Sequence, residues 1–304
     1  VIALKQMAVL FAIMMLGYLA CRAGYLPEAV NQKISAIVVN FANPALILTS
    51  VGTLSGFRQS DLLLTAAAAA AVYGFLAALS LLLPRLLRVP KEERSVYRLM
   101  ILFNNVGFMG LPLVQSLYGS SALLYMSVFL LFYNILIYTL GVRILRGKSQ
   151  AKKDFPQTMR SIFNPGVIAC ILAVLIVEFH ISISDVGTSV ITMMGNLTAP
   201  LSMMCIGASF GTMRMKQLFE NKRMLLLSAI KLLAVPVAGI LLLQTVIHNS
   251  VIIGVAMVTL ATPIGSMTTM MAQEYHADYS LTAQGVALST LFSVVTIPLV
   301  AAVL

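Results

Sequence analysis

Charged residues divide this chain into ten apolar stretches, each close to the length a helix needs to cross a bilayer, and that pattern limits the possible folds more than any single motif does. Breaking the sequence at charge clusters and Gly/Pro turns puts the stretches at 3–21, 33–51, 62–84, 97–117, 121–142, 163–179, 186–210, 223–246, 250–273 and 280–303. A hydrocarbon core about 30 Å thick takes roughly 20 mostly apolar residues per helix, so ten crossings use about two thirds of the chain and leave only short loops. Charged residues make up 10% and hydrophobic ones 60%, whereas soluble domains are about 25% charged. A soluble fold therefore fits this composition poorly. The runs are also too long and too continuous for the ~10-residue alternation of an outer-membrane barrel. The expected class is all-α integral membrane, with the lipid bilayer as its surroundings. Ile2 to Ala20 reads as the first span and not as a signal peptide, because no small-x-small cleavage site follows it.

Lys and Arg accumulate in cytoplasmic loops, so the basic residues test this count. One set of alternate loops, around 22–33, 85–98, 143–160 and 214–223, holds 17 of the 20 basic residues. Lys5 and Arg58 fall on the opposite side, and Lys231 lies inside a span. The asymmetry predicts a multi-pass protein of the cell (inner) membrane with both termini outside. The net charge of +10 is then a topology signal, and no nucleic-acid partner is assigned to it.

Asn40 and Pro44 in the second stretch form N-x-x-x-P, and Asn196 and Pro200 repeat the pattern 156 residues later in the seventh. Tyr118 and Tyr275, after the fourth and ninth stretches, are 157 apart. A near-constant offset points to two five-span repeats, 1–145 and 163–304, joined by a basic cytoplasmic linker at 146–162. Five is odd, so the second repeat enters from the opposite side, the inverted plan of many secondary transporters. Coincidence among common residues is the competing explanation.

The fourth stretch carries Asn104, Asn105, Gly107, Gly110 and Pro112 near its middle, and the ninth carries Thr262, Pro263, Gly265, Ser266 and Thr268. Pro112 removes a backbone donor and obstructs a carbonyl one turn earlier, and the glycines lower the cost of unusual backbone angles. The spacing predicts that both helices are broken at matching positions, with the first break at Pro112. Unpaired backbone groups are tolerated at that depth only beside protein or a watery cavity, so two breaks imply a polar centre. Half-helix N-termini there suit a carboxylate and the opposite ends suit a cation. Simple proline kinks are the alternative.

These residues resemble the auxin efflux carrier family, bacterial type, of the bile acid/arsenite/riboflavin transporter superfamily. The resemblance rests on Asn40 to Pro44, the Asn105 to Pro112 segment, Ala199 to Ser202 with Cys205 to Gly207, Lys231 with Pro236, and Thr262-Pro263 followed by Ala272 to Asp278. It implies ten transmembrane helices as two inverted five-helix repeats with crossed, broken fourth and ninth helices. It also implies a scaffold of spans one, two, six and seven, a transport unit of the others, and a homodimer. Known members move organic anions, including malate-like carboxylates. By motif, Asn104 and Asn105 would donate to the anion, and Thr262, Ser266 and Thr268 would line its site, with Gly107, Gly110, Pro112, Pro263 and Gly265 shaping the breaks. Asn40, Asn43, Pro44, Asn196 and Pro200 are assigned to packing or to cavity lining.

No Asp or Glu lies near the middle of a span, which argues against a buried carboxylate proton relay. Lys231 has two readings, a stem that snorkels to the interface, which is preferred, and an ammonium facing the cavity. His180, His248 and His276 sit at span ends and Cys21, Cys170 and Cys205 lack metal-ligand spacing, so neither a metal nor a cofactor is expected. The Gly141 to Ser149 segment misses the spacing of a phosphate-binding loop, and no hydrolase motif is present. The sequence thus predicts a non-enzymatic secondary carrier for a small organic anion. A sodium-coupled symporter of the bile-acid type is the alternative, and a ligand-binding membrane sensor a more distant one.

Overall fold

The computed structural model describes residues 2–53, 59–146, 163–179, 181–211 and 219–301. Residues 147–162 of the linker expected at 146–162, together with Arg58, His180, Arg214 and Lys216, lie outside the described residues. In chain order the helices are α1 (Ile2–Arg22), α2 (Glu28–Val51), α3 (Ser60–Leu86), α4 (Arg94–Leu102), α5 (Val106–Tyr118), α6 (Ala122–Arg146), α7 (Pro165–Glu178), α8 (Asp185–Gly211), α9 (Lys222–Gln244), α10 (Ser250–Ala261), α11 (Met267–Glu274) and α12 (Tyr279–Ala301). The described residues contain no strand. Six of the helices, α2, α3, α6, α8, α9 and α12, are long and apolar enough to cross a membrane, and shorter apolar helices accompany them.

Helix starts in the second half of the chain have a local cause. Asn164, Ser184, Asn221 and Asn249 each accept a bond from a backbone N–H of the first turn that follows, at 3.0–3.3 Å. Asp278 does the same for Leu281 at 2.9 Å. Short polar side chains satisfy donors that the first turn leaves without partners.

Prolines act inside the helices in a way the sequence reading did not anticipate. Val38–Ala42, Val106–Gly110 and Ile230–Ala234 are π-helical turns, and a proline follows each by two residues, at Pro44, Pro112 and Pro236. The pyrrolidine ring collides with the carbonyl a turn earlier and offers no N–H, and a widened turn accommodates both defects without ending the helix. Pro112 therefore does not break the fourth apolar stretch. The chain is already helical from Val106, and Pro112 lies inside α5.

Packing sorts the helices into two groups. α1 runs along the second half of α8, where a methyl group on Gly207 would overlap the Met14 carbonyl oxygen and one on Gly17 would overlap that of Met204. Small residues permit this approach in the absence of a hydrophobic drive between helices. α2 packs on α7 and α8, with Gly195 of α8 against the Leu46 backbone. In the other group α3 packs on α4 and α6, α10 on α6 and α9, and α12 on α9 and α11. Contact between α6 and α7 joins the groups, and there the Asn164 amide donates to the Asn134 Oδ1 at 2.7 Å.

Candidate functional site

Between α4 and α5 the chain leaves helical geometry at Phe103 (φ −112°, ψ 111°) and Asn105 (φ −81°, ψ 61°). Between α10 and α11 it does so from Thr262 (φ −64°, ψ 146°). The two unwound stretches lie against each other as a short antiparallel pair. The Asn105 N–H donates to the Pro263 carbonyl at 2.8 Å, and the Gly265 N–H donates to the Phe103 carbonyl at 3.0 Å. Each break thus supplies partners for backbone groups that the other has orphaned, which meets the requirement for unwound chain inside hydrocarbon. Gly265 is needed for this approach, because a Cβ there would stand 2.7 Å from the Asn104 carbonyl oxygen. A third element fixes the pair, since Ser289 of α12 accepts from the Ile264 N–H at 3.0 Å.

Two of the four helix ends at the crossing are C-terminal, and side chains satisfy their free carbonyls. The Asn104 amide donates to the carbonyls of Thr259 and Leu260, and the Thr262 hydroxyl donates to that of Thr259 at 3.0 Å. At the end of α4, the Lys231 ammonium donates to the Ile101 carbonyl at 2.8 Å and also to Asn104 Oδ1. Lys231 is 1% exposed. The preferred snorkelling reading is therefore corrected. The π turn Ile230–Ala234 carries this stem, and its length lets the ammonium reach the break directly instead of the interface.

The other two ends are N-terminal and remain open. Among the described residues, no acceptor is bonded to the N–H groups of Gly107 and Phe108 on α5 or of Ser266 and Met267 at the start of α11. These four residues are partly exposed in an otherwise buried crossing. Asn105, although buried, has no side-chain partner among the described residues, and its amide is not among the polar atoms sealed from solvent. Such an arrangement can donate several hydrogen bonds to an anion at the positive ends of two helix dipoles.

The residues expected at the site fall into distinct places. Asn104, Asn105, Thr262, Pro263, Gly265, Ser266 and Thr268 converge on the crossing. Thr268 is fully buried, and its hydroxyl donates to the Gly265 carbonyl at 2.6 Å. Gly107 and Gly110 lie in the first turn of α5, and Pro112 lies one turn beyond it. Asn43 of α2 reaches the crossing too, donating to the Gly107 carbonyl at 3.4 Å. Asn40 and Asn196 are exposed, and Asn40 donates to the Ala36 carbonyl of its own helix at 2.8 Å. Ser289, fully buried at the crossing, was missed, because a hydroxyl within a long apolar helix carries no mark of what it caps, and so was Thr259, which takes part through its backbone carbonyl.

Taken with the apolar helices, a crossing of two interrupted helices defines a multi-pass integral membrane protein with a polar centre. More particularly, the chain belongs to the membrane transport protein family, that of the auxin efflux carriers, whose pattern matches residues 2–301. An uncharacterized transporter of Methanocaldococcus jannaschii is 22% identical over 301 residues, spanning 96% of this chain and 95% of the relative. One of Methanothermobacter thermautotrophicus is 23% identical over 297 residues, with 96% and 95% spanned. The family is one of membrane transporters and not of enzymes.

Proposed function

We propose that this protein is a secondary transporter, a permease or efflux carrier, that moves a small organic anion such as a mono- or dicarboxylate by alternating access, with the anion held at the crossed, broken helices. The observation that carries the reading is the set of open N–H groups at Gly107, Phe108, Ser266 and Met267, with the uncommitted Asn105 amide, at the meeting point of two positive helix ends. Ser266 adds a hydroxyl. Asn104, Thr262 and Thr268 hold the breaks in shape from behind.

On this reading the ten apolar stretches are ten spans in two inverted five-span repeats, in the cell membrane as a homodimer, with both termini outside. One feature supports the inversion. α6 is 25 residues long, and the paired tyrosines fall at its two ends. Tyr118 precedes its start by four residues and packs on Gly254 of α10, whereas the Tyr275 ring lies 4.4 Å from the Arg146 guanidinium at its finish. The group of α1, α2, α7 and α8 serves as scaffold, and the crossing moves with the other helices.

The test is a thermal-shift screen of dicarboxylates, monocarboxylates and indole acids on purified protein, followed by uptake of the stabilising compounds into proteoliposomes. A bound ligand stabilises the folded state in proportion to its affinity and concentration. At least one class is expected to raise the melting temperature and to be taken up. A protein that neither binds nor moves any carboxylate in the panel ends this reading.

A further inference from the structure

An interrupted helix has two poles, and the anion site described above uses only the N-terminal ones. The C-terminal poles of α4 and α10 carry carbonyls without helical partners and a partial negative charge. In discontinuous transporter helices such ends, with unwound carbonyls, coordinate a coupling cation. At α10 the place is filled by neutral groups, the Asn104 amide and the Thr262 hydroxyl. At α4 it is filled by the Lys231 ammonium, which takes one backbone carbonyl, that of Ile101, and one side-chain amide oxygen, that of Asn104. A carbonyl and an amide oxygen at a helix end are the kind of ligands sodium would use, but this cation is covalently attached.

The charge also lacks a counter-ion. Both acceptors are neutral oxygens, no carboxylate among the described residues faces the ammonium, and the side chain is 1% exposed. A buried cation with neutral acceptors alone is costly to desolvate. The open N-terminal donors belong to the same crossing, so an anion held there would supply the missing charge.

We propose that Lys231 is a tethered cation standing where a coupling metal ion would otherwise bind, so that the anion is held and moved without sodium and completes the charge of the crossing. This rests on the anion-carrier reading, and it excludes the sodium-coupled alternative for this chain.

The experiment compares the wild type with Lys231→Ala and Lys231→Met. Melting temperature and malonate binding are measured in sodium chloride, in choline chloride and in choline chloride with added propylammonium. For the wild type the expected result is the same melting temperature and malonate affinity with or without sodium. Lys231→Ala opens space for a small alkylammonium, so its melting temperature falls and propylammonium restores it, while choline, too bulky, does not. Lys231→Met fills the space without charge, and its malonate affinity falls about tenfold or more with no response to propylammonium. Sodium dependence in the wild type, unchanged malonate affinity in Lys231→Met, or a folded Lys231→Ala that ignores propylammonium would overturn the proposal. If Lys231→Ala does not fold, the Met variant decides. A wild type indifferent to malonate and to every other carboxylate of the panel above, with Lys231→Ala still rescued by propylammonium, would instead remove the anion reading and leave the tethered cation standing.

Discussion

Asn104 and Asn105 are adjacent copies of one side chain whose amides are differently engaged at the crossing. Asn104 accepts from Lys231 and donates to two carbonyls of α10, so both of its polar atoms are committed. Its replacement by Ala leaves a buried ammonium and two carbonyls short of partners, which costs about 3 kcal/mol or more. Asn104→Ala should therefore show a large drop in thermal unfolding temperature. Asn105→Ala loses no side-chain bond, so its melting temperature should stay near that of the wild type while uptake of the carboxylate falls about tenfold, in line with the loss of one bond to a charged ligand. Equal effects of the two substitutions on stability would refute this division. Gly265→Ala forces a methyl against the Asn104 carbonyl oxygen and should destabilise the protein by about 1–3 kcal/mol, read by the same unfolding measurement. Both asparagines stood out in the sequence because amides are rare in apolar helices. Which of them is structural was not legible there, since the answer depends on carbonyls some 155 residues away in the chain.

At the scale of elements, proline and glycine mislead by a few residues. The sequence pointed to Pro112 as the break, but the ring only widens a turn, and the true interruption at Phe103 and Asn105 has no proline beside it. Pro112→Ala should accordingly keep the crossing and fold normally, with a melting temperature equal to or above that of the wild type, because removing a helix-interior proline relieves strain. Unfolding of that variant at room temperature would mean that the π turn is essential to the break. The ninth apolar stretch was more legible, for there Pro263 itself lies in the unwound segment and its carbonyl accepts from the Asn105 N–H. The caps at Asn164, Ser184, Asn221, Asn249 and Asp278 each have a local cause in a short polar side chain just before an apolar run. The close approach of α1 and α8 was hidden, because Gly207 and Gly211 look like any other small residues until the partner helix is known.

For the whole molecule, hydropathy alone carried the helical class, since hydrocarbon admits few alternatives. Orientation follows from the proposed topology and can be measured. In a variant whose Cys21, Cys170 and Cys205 are replaced, a membrane-impermeant maleimide on intact cells should label His248→Cys and spare Lys91→Cys, both positions being exposed. The reverse pattern would turn the protein over in the membrane and place its termini inside. The two interrupted helices are joined through main-chain bonds, Asn105 to Pro263 and Gly265 to Phe103, and among the described residues the side chains of Asn105 and Ser266 bond to nothing that holds this junction. On the proposed function, substitution at Asn105 or Ser266 would therefore alter which anion is accepted while the junction of the two helices stays intact.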